Sequence, residues 1–523
     1  MDSIVNPPSS DGWLSRDVVA RQACIRPRGL AVQELASGRR VTYGALETEL
    51  RRCEAVLRAR LDHPGARVAL VARNSIHHVT LYYGCPRASA VFQPVNWRLP
   101  GAELAVLFED AAPELLIYEA EFEAEVQTAL ARAPVPKLIR IAPGDDALAA
   151  ALAAAEPVAR PGPVDPHAPG MLLYTSGTTG RPKGVIVTAR SAFFSAMNFT
   201  QIGELTAGHA MLCDAPLFHV VGLLAIMHAS LLTGGTIHIA DRFVPADTLG
   251  RLVDPALGIS HYFCVPQMAQ ALLEAPNFPT TDLRGLRMFT GGAPMPTPLT
   301  EGLLAAGIRP SNGYGMSENG SVMGVPLDPE VARRKIGSVG IAAPAMEVRL
   351  VTGDGADAAP GEAGELWLRG PSITPGYWNQ PEITARTFAE GGWFRTGDAA
   401  RQDEDGFYFI VDRWKDMYIT GGENVYPAEV EAALAGMGGV AETAIVGVPD
   451  PRWGETGCAF VVLRPGATCE AADILAWCQE RLARYKWPGH VRFIDALPRT
   501  ASGKVQKDIL RRAFAQAQTE SRS

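Results

Sequence analysis

The sequence lacks paired cysteines, a surplus of basic residues and any long uninterrupted apolar run. Its eight cysteines, at 24, 53, 85, 213, 264, 458, 469 and 478, form no Cys-x-x-Cys pair and no cluster with histidine. Neither a disulfide framework nor a zinc site is supported, and a reducing, cytoplasmic compartment is expected. Lysine and arginine number 48 against 56 acidic residues, a net charge of −8. Nucleic-acid binders carry a basic balance or a basic stripe, so no nucleic-acid partner is expected. The longest apolar stretch, 215–233, is broken by Pro216, His219, Gly222 and His228. It reads as buried core rather than a transmembrane segment. Residues 1–8 have neither a charged n-region nor an apolar h-region, so no secretory signal is expected.

What is present is an ordinary globular balance, 47% hydrophobic and 20% charged over 523 residues. That length is too great for one compact core and implies two or more domains. Helix-like and strand-like runs alternate from 10 to 120 and again from 186 to 320, the pattern of α/β layers. Tyr43 to Leu61 has helical spacing, and 67–71, 236–240 and 261–265 read as strands. Between them, 121–168 reads as a helix, a short strand (137–141) and a Pro-rich connector. Short strands separated by Gly and Asp turns fill 336–412, a small β-rich subdomain. Beyond Arg413-Trp414-Lys415 the pattern becomes strand, helix, strand, and the polar tail after Ala513 is expected to fray.

Residues 174–185, Tyr-Thr-Ser-Gly-Thr-Thr-Gly-Arg-Pro-Lys-Gly-Val, lie between two strand-like runs. Glycines 177 and 180 let backbone approach a ligand closely. Backbone N–H groups and the hydroxyls of Thr175, Ser176, Thr178 and Thr179 donate to phosphate oxygens, and Lys183 adds a point charge. The kinase-type P-loop is excluded. It needs Gly-Lys-Ser/Thr, whereas Lys183 follows Pro182 and precedes Gly184. Next, Asn312-Gly313-Tyr314-Gly315-Met316-Ser317-Glu318 offers an aromatic face for a planar base. It also offers, at Glu318, an oxygen ligand of the kind Mg²⁺ prefers beside phosphates. In Trp393-Phe394-Arg395-Thr396-Gly397-Asp398, a carboxylate suited to both hydroxyls of a ribose closes the segment.

Taken together, these segments resemble the adenylate-forming superfamily of acyl-CoA synthetases, aryl-CoA ligases, luciferases and peptide-synthetase adenylation domains. Five ordered motifs match from about Leu30 to Arg512, the other two being Thr420-Gly421-Gly422-Glu423-Asn424-Val425-Tyr426-Pro427 and Leu497-Pro498-Arg499-Thr500-Ala501-Ser502-Gly503-Lys504. The resemblance implies ATP, Mg²⁺ and CoA as cofactors and a small-molecule carboxylate as substrate. It implies a mixed α/β fold with a large N-terminal domain of two α/β layers plus the small β-rich subdomain. A small mobile α+β C-terminal domain follows. The expected boundaries are 1–412 for the core, 413–415 for a hinge centred on Lys415, and 416–523 for the mobile domain.

By the same resemblance, Glu318 is the Mg²⁺·ATP ligand. Gly292, Ala293, Asn312, Gly313, Tyr314, Gly315, Ser317, Asp398 and Arg413 hold AMP. Lys504, in Pro498-Arg499-Thr500-Ala501-Ser502-Gly503-Lys504, is the catalytic lysine that bridges carboxylate and α-phosphate. His219, in Pro216-Leu217-Phe218-His219, gates the carboxylate end. Val220, Gly222, Gly291 and Met316 line the acyl pocket, whose small residues suggest a roomy apolar space. No Arg or Lys falls within 216–226 or 288–296, which disfavours a dicarboxylate. Gly421, Gly422, Trp453, Tyr485 and Lys486 are expected to contact CoA. The implied reaction is activation of a fatty, aryl or polycyclic acid to acyl-AMP, then transfer to CoA. The alternatives are loading of a carrier protein and a non-catalytic protein of the same fold. A homodimer is a candidate assembly.

Overall fold

The computed structural model describes residues 17–175, 182–293, 295–420, 423–499, 503 and 505–520. The chain forms two compact units. The larger comprises residues 1–175, 182–347 and 369–388, and the smaller comprises 176–181, 348–368 and 389–523.

In the larger unit, apolar runs bounded by turn residues become strands of two sheets. One has seven strands, in the order Asp145–Asp146, Lys137–Ala142, Leu115–Glu119, Arg67–Val71, Val91–Val95, Pro169–Thr175, Lys183–Thr188. Its central strands run parallel, and such strands read as continuous hydrophobic runs because both faces are covered. Arg67–Val71 illustrates this: Val68, Ala69, Leu70 and Val71 are all fully buried. The other sheet has nine strands, with Ala210–Cys213, Thr236–Ile239, His261–Cys264, Arg287–Thr290 and Arg309–Met316 in its parallel part. The helix Tyr43–Arg60, capped by Thr42, buries Leu46, Leu50, Cys53 and Leu57 on one face. Residues 222–231 of the stretch 215–233 are buried core, a π-helix Val221–His228 running into an α-helix Ala229–Thr233, while His219 ahead of them is exposed. Among the described residues, no helix is long and apolar enough to cross a membrane.

The smaller unit holds the short strands of the β-rich segment, Gly364–Arg369 up to Leu368, Trp393–Gln402 and Tyr408–Arg413. It also holds a sheet built on the hairpin Val440–Asp450 and Gly454–Leu463. The helix Pro427–Ala435, with proline at its first turn where no N–H partner is needed, buries Val430 and Leu434.

Two local expectations need correction. The polar tail does not fray at Ala513: the helix Lys507–Glu520 continues through it and buries Leu510 and Phe514. Two apolar anchors one turn apart outweigh its polar composition. The connector after 141 contains a helix, Ala147–Ala154, capped by the Asp146 carboxylate on the Ala149 N–H. The glycine-rich 312–316 forms the end of the strand Arg309–Met316, paired antiparallel with Gly320–Gly324. Its glycines are needed because a side chain at 315 would strike the carbonyl of Gly320.

Candidate active site

The strands Pro169–Thr175 and Lys183–Thr188 form an antiparallel hairpin in which Thr175 pairs with Lys183. They hold the two ends of the phosphate-loop sequence. Ser176, Gly177, Thr178, Thr179 and Gly180 themselves lie outside the described residues.

A second segment, absent from the sequence reading, is laid against the exit strand. Trp378 N–H donates to the Gly184 carbonyl at 2.7 Å, and Ile186 N–H donates to the Gly376 carbonyl at 3.1 Å. Thr374 Oγ1 donates to the Ile186 carbonyl at 2.7 Å. The same segment reaches the glycine-rich hairpin. Thr374 N–H donates to the Glu318 carbonyl at 2.6 Å, and Tyr377 Oη donates to Glu318 Oε1 at 2.9 Å. Lys183 Nζ stands 5.3 Å from the centre of the Tyr377 ring. Burial first, and the Glu318 carboxylate second, push the Tyr377 phenol far up from its ordinary value. It therefore stays protonated and donates to Glu318. Tyr377 was legible only as part of Pro375-Gly376-Tyr377-Trp378, a turn-and-aromatic run with no chemical signature of its own.

The parallel pairing of Arg287–Thr290 with Arg309–Met316 puts Thr290 opposite Asn312. It thereby brings Gly291 beside Gly313. Asn312 Nδ2 donates to the Ser338 carbonyl at 2.8 Å. Tyr314 Oη lies 3.8 Å from Met316 Sδ, and Met316 N–H donates to Asn319 Oδ1. Ser317 and Glu318 occupy the turn before Gly320–Gly324, with Glu318 buried.

The acyl-pocket residues call for two corrections. Gly222 does not open space: a Cβ there would lie 2.4 Å from the Pro216 carbonyl oxygen, so the residue is small because backbone packs on it. Gly291 is crowded in the same way, by the Gly313 carbonyl at 3.1 Å. The absence of a cation from the sequence windows also does not carry into space. The guanidinium of Arg98 sits 5.8 Å from the Phe218 ring and 4.8 Å from that of Trp97. Arg98 comes from the loop after Val91–Val95, far upstream. His219 is exposed and its ring packs 4.6 Å from that of Phe218. Val220 leads into the π-helix.

In the smaller unit, Asp398 on Trp393–Gln402 pairs across the sheet with Arg413 on Tyr408–Arg413. Arg413 Nη1 lies 2.9 Å from Asp398 Oδ1. Lys415 is exposed in the single turn Trp414–Asp416. Just before it, Asp412 Oδ2 accepts the Ala428 N–H at 2.6 Å, at the N-terminus of Pro427–Ala435. Burial raises the Asp412 carboxyl despite the nearby Lys507. Trp453 is half exposed, with Arg452 over its ring at 4.6 Å. Lys486, next to Tyr485, forms an ion pair with Glu429. Gly421, Gly422 and Lys504 lie outside the described residues.

Family models for "AMP-binding enzyme" and "AMP-binding enzyme C-terminal domain" match residues 19–378 and 429–504. The chain belongs to the AMP-binding enzyme family. A feruloyl-CoA synthase of Amycolatopsis sp. is 39% identical, over 94% of this chain and 98% of its own length. Long-chain-fatty-acid–CoA ligase FadD13 of Mycobacterium tuberculosis is 36% identical, over 96% and 98%. A fatty acid–[acyl-carrier-protein] ligase, ScoC of Streptomyces coeruleorubidus, is 36% identical, over 92% and 93%.

Among solved structures, ATP-bound MatB of Rhodopseudomonas palustris superposes with a TM-score of 0.83 at 29% identity, over 96% and 99% of the two chains. The o-succinylbenzoate CoA synthetase of Bacillus subtilis, solved with its acyl-adenylate, gives 0.82 at 29%, over 94% and 97%. This family member is an AMP-forming acid–thiol ligase that uses ATP, Mg²⁺ and CoA. Its residues fit a metal held largely by the nucleotide. Among the described residues, no group of three or more His, Cys, Asp or Glu side chains could cage an ion. The buried Glu318 offers a single carboxylate, as Mg²⁺ sites shared with phosphates do.

Proposed function

We propose that this enzyme converts a hydrophobic carboxylic acid, fatty, aryl or polycyclic, into its CoA thioester through an acyl-AMP. The strap Thr374–Trp378 supports this reading best. It ties the strand that carries Lys183 to the carboxylate of Glu318, joining a phosphate-binding cation to a metal-binding anion. Glu318 would hold Mg²⁺, which would supply neutralisation of phosphate charge. Thr175 to Gly180 and Lys183 cradle the phosphates, and Tyr314 stacks on the adenine. Asp398 accepts the ribose hydroxyls, with Arg413 holding its carboxylate in place.

A substrate carboxylate oxygen attacks the α-phosphorus, the bond to the bridging oxygen breaks, and pyrophosphate leaves. Lys504 offsets the charge that builds as one anion approaches another. The segment 416–523 then turns about Lys415, replacing Lys504 with the Gly421-Gly422 face. The thiol sulfur attacks the acyl carbon, its proton passes to solvent, and AMP departs. His219 gates the carboxylate end, beside Val220 and Met316. CoA lies along Trp453, Tyr485 and Lys486, which requires the ion pair of Lys486 with Glu429 to open.

The test is mass-spectrometric detection of acyl-CoA from ATP, Mg²⁺, CoA and a panel of fatty, aryl, polycyclic and dicarboxylic acids. Thioester with a hydrophobic class supports the reading. Preference for a dicarboxylate overturns the substrate class and points to Arg98. The likeness to ScoC favours one second reading, a carrier-protein acceptor. It predicts acyl-AMP without acyl-CoA until a carrier protein is added. A cytoplasmic enzyme, as a monomer or a homodimer, completes the proposal, and light scattering decides the assembly.

A further inference from the structure

Asn74 is buried in the turn between the strand Arg67–Val71 and the helix Ile76–Arg87, and its side chain directs its hydrogen bonds to the other sheet. Nδ2 donates to the Ala215 carbonyl at 2.8 Å and to the Ala240 carbonyl at 3.2 Å, and Oδ1 accepts the Leu217 N–H at 2.8 Å. Only this orientation of the amide works, because the carbonyls need a donor and the N–H needs an acceptor. Ala215 and Ala240 follow the C-terminal ends of the strands Ala210–Cys213 and Thr236–Ile239. One side chain therefore ties together the carboxyl ends of strands in both sheets, the edge at which α/β sheets bind ligands.

The segment it holds could not pair regularly with a strand, because Pro216 has no N–H to donate. The Asn74 amide bonds the carbonyl before Pro216 and the N–H after it, as the backbone of a parallel neighbour would. From the other side, the helix Val221–His228 sets Gly222 against the Pro216 carbonyl, where a Cβ would come within 2.4 Å. Between these two contacts Ala215, Leu217 and Phe218 are buried, and His219 is the exposed tip. The His219 N–H bonds back to the Pro216 carbonyl at 3.2 Å, so the place of the tip follows that of the clamped residues.

We propose that Asn74 is a positioning residue for the acid-binding end of the active site, fixing residues 215–217 so that Phe218 and His219 meet the incoming carboxylate. This rests on the reading of 216–219 as the segment at the carboxylate end. Asn74 acts through that backbone and not on a reacting atom. Its loss should therefore weaken acid binding and leave the nucleotide end alone.

Pyrophosphate release by the full-length protein tests this, using the acid that the wild type turns over best in the panel above, whatever its class. Rates are taken per active site from single-turnover amplitudes. Asn74→Ala should raise the KM for the acid about tenfold and leave that for ATP within about twofold. Hydrogen exchange should rise in peptides covering 215–221 and not in those covering 287–293. An unchanged KM for the acid, an equal rise in both KM values, or unchanged exchange at 215–221 would each overturn the proposal. If Asn74→Ala fails to fold, Asn74→Asp carries the test, since it matches the amide in shape and keeps an acceptor for Leu217. Burial beside two carbonyls favours its protonated form, which regains one donor, so its KM for the acid should fall toward the wild-type value between about pH 8 and about pH 6. A pH profile parallel to that of the wild type would overturn the proposal. His219→Ala separates the clamp from the reading beneath it. An unchanged acid KM there, with a raised one in Asn74→Ala, removes the gate and supports the clamp, and the opposite pair removes the clamp.

Discussion

Glu318 and Asp398 are both buried carboxylates, 8% and 6% exposed, yet they are held by opposite means. Glu318, at a hairpin turn of the larger unit, accepts a hydrogen bond from the uncharged Tyr377 phenol. Asp398, on a strand of the smaller unit, is held by the charged Arg413 guanidinium. A neutral donor orients a carboxylate without cancelling its charge, which suits a cation ligand. An arginine cancels the charge and leaves an acceptor of hydrogen bonds, which suits neutral hydroxyls. On the proposed roles, two residues of one chemical type are fitted to different partners by what stands behind them.

Substitutions can break that comparison, and the largest effect is expected outside both carboxylates. Lys504→Ala should slow acyl-AMP formation about 100- to 1,000-fold, while thioester formation from supplied acyl-AMP stays largely intact. Single-turnover assays of each half-reaction check this, and equal loss in both would remove Lys504 from its role. Glu318→Gln keeps the shape and removes the charge. Its kcat/KM should fall about 100-fold, partly restored by excess Mg²⁺. Tyr377→Phe keeps the ring near Lys183 and removes one hydrogen bond, so a loss of roughly three- to tenfold is expected. That loss should appear as a raised Mg²⁺ requirement. Arg413→Ala should raise the KM for ATP only several-fold, since Arg413 is itself largely exposed. It should leave the Mg²⁺ requirement alone. If Arg413→Ala shifted the Mg²⁺ requirement and Tyr377→Phe did not, the contrast between the two carboxylates would be reversed.

Much of this architecture was legible in the sequence because periodic burial writes itself into apolar spacing. The strands at 67–71, 236–240 and 261–265 and the helix from Tyr43 are examples. What was illegible depends on partners distant in the chain. Tyr377 acquires meaning only when it meets Glu318, and Arg98 only when it meets Phe218. Gly222 looked like room in a pocket, but small residues look alike whether they face a cavity or a carbonyl. The helix through Phe514 was hidden because two buried residues in a polar tail give too weak a pattern.

The two units should also part company in acid. Burial pushes His78 and His261 down to about 3 and His228 down to about 4, and all three lie in the larger unit. An unfolded imidazole takes up its proton near pH 6.5. Between that pH and about 4, then, the unfolded chain binds up to three protons that the native larger unit refuses. Stability falls as pH falls wherever the unfolded state binds more protons. Two buried carboxyls of the same unit oppose this. Burial raises Asp214 and Glu119 to about 6, so the native state binds protons there before the unfolded chain does. Burial also lowers His209 and His238 of this unit, so the histidines outweigh the two carboxyls, leaving a net loss of about 2 kcal/mol per pH unit around pH 5. Hydrogen exchange read by mass spectrometry, peptide by peptide between pH 7 and 4.5, separates the units. Strands such as Arg67–Val71 and His261–Cys264 should lose protection before Val440–Asp450 does. His261→Gln, which removes one of these titrating histidines, should flatten that dependence for the larger unit. An unchanged slope in that variant would assign the acid sensitivity to other groups.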